Sequence, residues 1–185
     1  MEIIETKLPG VLLIKPKYFG DTRGYFMETW NHKKYSERGL NADFVQDNLS
    51  FSNNGTLRGL HFQNPVQQGK LVQVLSGEVF DVAVDVRSDS PTFGSWVGLN
   101  LSAENHHQLY VPPGFAHGFC VVSDSALFSY KCTQYYSPHC EYNLRWNDPD
   151  IAIDWPIENP VLSSKDGTGR CLKDFSKEEL PTFFE

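Results

Sequence analysis

The sequence predicts an all-β fold, either a barrel or a double-sheet jelly roll, with a few short peripheral helices. Three observations carry this: strand signals recur at short intervals along the 185 residues, Gly, Pro and Asn punctuate them, and helical patterns are brief. The clearest strand is 79–87, where Phe80, Val82, Val84 and Val86 alternate with Asp81, Ala83, Asp85 and Arg87. That is the period of a half-buried strand with one polar face. Residues 70–75 precede it across Ser76-Gly77-Glu78, so the two read as a hairpin. Further strands are expected at 11–15, 44–52, 96–102, 108–111, 118–122 and 126–135. A short helix is expected at 31–38, ending at Gly39 as its C-terminal cap. Ser176-Lys177-Glu178-Glu179 has the capping-box pattern and should open a small terminal helix that Pro181 stops. With no internal repeat, low-complexity tract or linker, residues 1–185 read as one domain.

Composition narrows the function classes. Apolar residues make up 40% and aromatics 14%, enough for a sizeable core and unlike a disordered tail. A net charge of −7 argues against non-specific nucleic-acid binding, which needs a basic footprint. It leaves room for a nucleotide ligand, because a few local Arg and Lys can hold a diphosphate. No apolar run approaches the roughly 20 residues of a membrane span. Met1-Glu2-Ile3-Ile4-Glu5 lacks the basic and apolar regions of a signal peptide, so a cytoplasmic protein is expected. Cys120, Cys132, Cys140 and Cys171 show neither CxxC spacing nor a dense framework, and read as free thiols.

The most informative stretch is Arg58-Gly59-Leu60-His61-Phe62-Gln63. It reads as a strand whose alternation puts His61 and Gln63 on one face. Taken alone, one histidine on a strand is more often structural than catalytic. A second histidine closes Pro112-Pro113-Gly114-Phe115-Ala116-His117, whose Pro-x-Gly-x-x-His pattern resembles the second conserved element of the cupin jelly rolls. Metal-binding cupins usually carry His-x-His and a Glu in the first element, where this chain has His61-Phe62-Gln63. His61 and His117 are too few for a site of three or four ligands, so no metal is expected.

A narrower resemblance covers about residues 3–175. In order come RGLHFQ, Lys70-Leu71-Val72, Gly77-Glu78-Val79, Asp81-Val82 with Val84-Asp85-Val86-Arg87, Ser90-Pro91-Thr92, Gly114-Phe115-Ala116-His117-Gly118-Phe119, Trp146-Asn147-Asp148-Pro149 and Ser164-Lys165-Asp166. The chain thereby resembles the dTDP-4-dehydrorhamnose 3,5-epimerases, cofactor-free cupin enzymes of dTDP-L-rhamnose synthesis. The resemblance implies a jelly roll, a dTDP-4-keto-6-deoxy-D-glucose substrate and epimerisation at C3 and C5 by proton abstraction beside the C4 ketone. It also implies no cofactor, and a homodimer in which the N-terminal segment often reaches the partner's site.

The same resemblance assigns roles. His61 matches the base and Asp166 the carboxylate that hydrogen-bonds it. Tyr130 matches the proton donor, and Lys70 the cation near the keto oxygen. Arg58 and Arg23 match diphosphate contacts, and Tyr136 the aromatic that stacks on the thymine. Glu28, Gln46, Asp47, Asn48, Glu141 and Lys165 fall at binding positions. His117 matches a second pocket histidine, either a binding group or a structural residue closing its turn. His32, His106, His107 and His139 are expected to be exposed. The alternatives are a C3-only or C5-only epimerase acting on a related nucleotide sugar, a non-catalytic cupin that binds sugars or nucleotides, and a metal-dependent cupin oxygenase or isomerase.

Overall fold

A computed structural model describes residues 1–183; the last two residues of the expected 1–185 domain lie outside the described residues. In chain order the elements are β1 (Glu2–Glu5), β2 (Leu12–Lys15), β3 (Tyr18–Asp21), β4 (Gly24–Met27), helix α1 (His32–Ser36), β5 (Gln46–Asn53), β6 (Leu57–Gln63), β7 (Lys70–Ser76), β8 (Glu78–Asp85), β9 (Trp96–Ser102), β10 (Gln108–Val111), β11 (Phe115–Val121), β12 (Ser125–Cys132) and β13 (Glu141–Asn143). One sheet has the order β1-β2-β10-β7-β12-β5 and a second the order β13-β6-β11-β8-β9, while β3 and β4 form a separate hairpin. All the strand pairings are antiparallel. This two-sheet jelly roll is the fold class that the short, alternating strands predict.

Three apolar layers hold it. Between the sheets, Val72, Val74, Val79, Ala83, Leu109, Phe115, Phe119 and Phe128 pack together. Outside the five-stranded sheet, Leu57, Leu60, Val82, Val84 and Val86 are covered by Ile151, Trp155, Leu172 and Phe175 of the C-terminal segment. Outside the six-stranded sheet, Ile14 and Leu71 meet Tyr35 of α1 and Leu40. Asn31 caps α1 by accepting from the Lys34 amide, and Gly39 follows it at φ +92°. Each fully buried Leu or Val contributes about 1.5–3 kcal/mol relative to exposure.

Several expectations are corrected. Residues 70–75 and 78–85 are not a hairpin: β7 pairs with β10 and β12, whereas β8 pairs with β11 and β9. Gly77, at φ +79°, carries the chain from one sheet to the other, and Ser123 Oγ accepts from the Glu78 amide at that crossing. Both strands already have two partners, so neither has a free edge for the other. The polar face of β8 is not solvated: Asp81 and Asp85 are fully buried, Asp81 against His117 and Asp85 against Arg87, Ser90 and Thr92. The Ser176–Glu179 box is present, with the Ser176 amide donating to Glu179 Oε2 at 2.8 Å, but it closes a turn rather than opening a helix. Pro181 leaves too little chain for one. His106 and His107 are half-buried, His106 because its ring sits 4.7 Å from Tyr18 and 4.5 Å from Tyr25, centroid to centroid. His32 and His139 are exposed as expected, and all four cysteines are free thiols.

One irregularity aims the most informative strand. Between β6 and β11, His61 pairs with His117 and Arg58 with Phe119, so Gly59 and Leu60 together oppose Gly118. This is a bulge, and it turns side chains three apart onto one face. The strands meet too closely there for side chains: a Cβ on Gly118 would stand 2.6 Å from Arg58 O, and one on Gly59 2.6 Å from Gly118 Cα. Gly118→Ala should therefore cost about 2–4 kcal/mol in urea unfolding. Gly167→Ala, where a Cβ meets nothing within 4 Å, should change stability by less than about 0.5 kcal/mol. Equal stabilities for the two variants would contradict the close approach.

Candidate active site

The two sheets enclose a cavity of two adjoining lobes, about 330 Å³ and about 300 Å³. Gln46, Asn48, Gln63, Gln68, Tyr136 and Glu141 line the first. Ser50, Arg58, His117, Phe119, Phe128, Ser163, Lys165 and Asp166 line the second. His61, Lys70 and Tyr130 line both and so mark the junction. Lys70 and Tyr130 rise from the six-stranded sheet, on β7 and β12, while His61 rises from β6 of the five-stranded sheet. The histidine and the tyrosine thus stand on opposite walls.

His61 is oriented from behind. Its Nε2 lies 2.7 Å from Asp166 Oδ1, across 105 residues of chain. Burial works to raise the Asp166 carboxyl, but hydrogen bonds from His61, Ser163 Oγ at 2.6 Å and the Gly59 amide at 3.4 Å outweigh it. The group is held below the usual carboxylate range and accepts as an anion. Nε2 therefore carries the hydrogen, which leaves the lone pair on Nδ1. That nitrogen faces Glu141, whose Oε1 is 4.0 Å away. The segment bearing Asp166 is tied to β13 beside β6: Asn143 Nδ2 donates to Lys165 O, and the Arg170 amide donates to Asn143 O.

The remaining charges are arranged around this pair. Lys70 is 8% exposed, and burial pushes its ammonium down while Cys132, Glu141 and Asp81 pull it back up. Burial pushes the Tyr130 phenol up, Cys132 and Glu141 add to this and Arg58 opposes it, so the phenol stays protonated. His117 Nε2 lies 3.0 Å from each oxygen of buried Asp81, and its ring stacks towards Phe128. Glu141 Oε2 accepts from Tyr136 Oη at 2.7 Å and pairs with Lys165 Nζ at 2.6 Å. Burial works to raise the Glu141 carboxyl, and the hydrogen bonds from Lys165 and Tyr136 bring it net below its ordinary value.

Most of the expected site residues converge on the cavity, and three do not. Asp47 alternates with Gln46 and Asn48, so it points outward, where it pairs with Lys131 at 2.9 Å. Arg23 is exposed at the tip of the β3–β4 hairpin and pairs with Asp21. Glu28 pairs with Lys34 at 2.8 Å and accepts from Asn31 beside α1. Arg23 and Glu28 line surface hollows that share no residue with the central cavity. Conversely, Gln68, Ser50, Ser163, Phe119 and Phe128 line the cavity unannounced, while Gln63 lines it on the face shared with His61 that alternation predicts. Alternation from His61 reaches Gln63, and alternation from Asn48 reaches Ser50, whose Oγ is buried with no hydrogen-bond partner. Gln68 and Ser163 lie outside the strands and carry no such signal. Among the described residues no group of three or more His, Cys, Asp or Glu is arranged to hold a metal ion.

Comparison with known proteins gives the family. Residues 5–174 match the family described as dTDP-4-dehydrorhamnose 3,5-epimerase. A protein of that name from Shigella flexneri is 56% identical over 176 residues, covering 94% of this chain and 97% of its own. A Legionella pneumophila dTDP-6-deoxy-D-glucose-3,5-epimerase, solved in complex with dTDP-4-keto-L-rhamnose, superposes with a TM-score of 0.96 at 51% identity, over 100% of this chain and 99% of its own. The dTDP-4-dehydrorhamnose 3,5-epimerase structure from Elizabethkingia anophelis gives 0.89 at 50% identity, over 94% and 97%.

The Asp166 arrangement has a measurable signature in stability. A carboxylate lowered in the folded state stabilises above its unfolded pKa, about 3.9, and loses that contribution as pH falls through its folded value. Asp166→Asn should thus unfold about 2 kcal/mol more easily than wild type at pH 5. The gap should narrow below about pH 4. A gap unchanged between pH 5 and pH 3 in urea titrations would contradict an ionised Asp166.

Proposed function

The chain belongs to the dTDP-4-dehydrorhamnose 3,5-epimerase family, and we propose that His61, Lys70 and Tyr130 carry its reaction at the junction of the two lobes. The reaction is epimerisation of dTDP-4-keto-6-deoxy-D-glucose at C3 and C5 to dTDP-4-keto-L-rhamnose. The observation that carries the assignment is that these three residues alone line both lobes, with the base and the acid on opposite walls.

The C4 ketone acidifies the hydrogens on C3 and C5, because either carbanion is delocalised as an enolate. His61 Nδ1 takes the proton, and the C–H electron pair moves into the C4–O enolate. Lys70 supplies a buried cation to the enolate oxygen, where a fixed charge is worth most. Asp166 holds the imidazolium by its other nitrogen, the logic of a hydrolase triad. Tyr130 then delivers its hydroxyl proton to the same carbon from the opposite face, which inverts it. Proton exchange with solvent returns His61 and Tyr130 to their starting states before the second carbon reacts. Tyr136, 51% exposed at the mouth, offers a π-face to the thymine. Arg58 and Lys165, on the second lobe, serve the diphosphate, while Gln46, Asn48 and His117 bind within the cavity.

The assembly is a homodimer on this reading. The β3–β4 hairpin exposes Tyr18, Phe19, Tyr25 and Phe26 and carries Arg23 and, just beyond it, Glu28 away from its own cavity. Such an apolar projection suits a second copy, to whose nucleotide end it would add those two residues. No helix among the described residues is long and apolar enough to cross a membrane, and an acidic chain with free thiols suits the cytoplasm.

Incubation of dTDP-4-keto-6-deoxyglucose in D₂O should introduce deuterium at both C3 and C5. Incorporation at neither carbon would remove the function, and incorporation at one would make the enzyme a single-site epimerase. Tyr130→Phe should retain wash-out of substrate hydrogen better than product formation, with turnover reduced about 10²-fold or more. Equal loss of both would contradict a donor role. Sedimentation should give the mass of two chains, and Arg23→Ala should raise KM with kcat little changed; a monomer with full activity would exclude the shared site.

A further inference from the structure

The cation that serves the enolate works against the base. Lys70 on β7, Arg58 on the same strand as His61, and Lys165 all place positive charge around His61, and each disfavours the imidazolium it must become. The pair formed by His117 on β11 and Asp81 on β8 is internally compensated, and Tyr130 across the cavity is neutral. Asp166 favours the imidazolium from the Nε2 side. On the Nδ1 side stands one further carboxylate.

Resting on the epimerase reading, we propose that Glu141 is a positioning residue: it stabilises the imidazolium without occupying the nitrogen that takes the proton. Its Oε1 is 4.0 Å from His61 Nδ1. That is too long for a hydrogen bond, so the lone pair stays open to a C–H group. It is near enough for substantial attraction in a partly dehydrated site, and the Glu141 side chain is 13% exposed. The separation is built in. Glu141 pairs with Gln63 across β13 and β6, diagonal to His61, and its Oε2 is fixed by Tyr136 Oη and Lys165 Nζ. Two partners on one oxygen prevent the carboxylate from swinging onto the imidazole. Glu141 stays a carboxylate throughout: the substrate proton goes to Nδ1, the electron pair to the enolate, and no bond to Glu141 forms or breaks.

The test is the pH profile of kcat/KM for wild type, Glu141→Gln and Lys165→Met, with C–H wash-out followed in parallel. In E141Q the rate limb on the acid side should move to lower pH by about one unit. Its kcat should fall by up to about 10-fold with KM within about threefold of wild type. In K165M, which leaves Glu141 uncompensated, the same limb should move to higher pH by about half a unit. Opposite displacements are a signature that loss of fold does not produce. A raised KM with an unmoved limb would make Glu141 a substrate contact and overturn the inference, as would displacements of the same sign. A wild-type protein that washes out no hydrogen would remove the epimerase reading and this inference with it. Normal wild-type exchange beside an unmoved E141Q profile would overturn the inference alone.

Discussion

Inversion at a carbon needs a base on one face and an acid on the other, and the residues proposed for these two parts stand on two different sheets. Packed sheets stand about 10 Å apart. Where Phe115, Phe119 and Phe128 fill that gap it is core; where the inward side chains become polar it is wide enough for a sugar ring. His61 reaches in from β6 and Tyr130 from β12, so their opposition is set by the architecture and not by a loop. A one-residue slip in either strand would turn its group out of the cavity. The bulge at Gly59 and the close approach of Gly118 fix that register on the histidine side.

Burial then does chemical as well as structural work. It pushes Lys70 down and Tyr130 up, so the phenol keeps its proton, while neighbouring anionic groups counter the loss of charge on the ammonium. The acidic groups divide into two kinds. Asp81 and Asp166 are each committed to a histidine within 3.0 Å, and Glu141 to a lysine and a tyrosine. An unpaired buried charge would cost several kcal/mol, so this mutual compensation is what lets so many ionisable groups share one cavity.

The strands at 96–102 and 108–111 were legible to the residue, because strict alternation and flanking turn residues mark them. The pairing of strands was not. Ser76-Gly77-Glu78 has the composition of a hairpin turn, yet the partners of β7 and β8 lie elsewhere in the chain, and no local signal carries that. The full burial of Asp81 and Asp85 was not legible, because alternation reveals that a face is polar and not what covers it. The bulge likewise escapes periodicity: Arg58 and His61 are an odd number apart, yet they share a face. In the site, His61 stood out, whereas Asp166 was legible only through family resemblance, since 105 residues separate the two. Asp47 sits between two cavity residues and points away from both, which its own alternation could have shown.

The geometry at the junction of the lobes is open to direct inspection in a crystal of the His61→Asn variant soaked with dTDP-4-keto-6-deoxyglucose. The expected result is a sugar ring lying between position 61 and the Tyr130 hydroxyl, with the C4 oxygen within about 3 Å of Lys70 Nζ. The C3 and C5 hydrogens to be removed should point towards position 61. A sugar bound with position 61 and Tyr130 on the same face of its ring, or with the C4 oxygen turned away from Lys70, would contradict the two-wall arrangement.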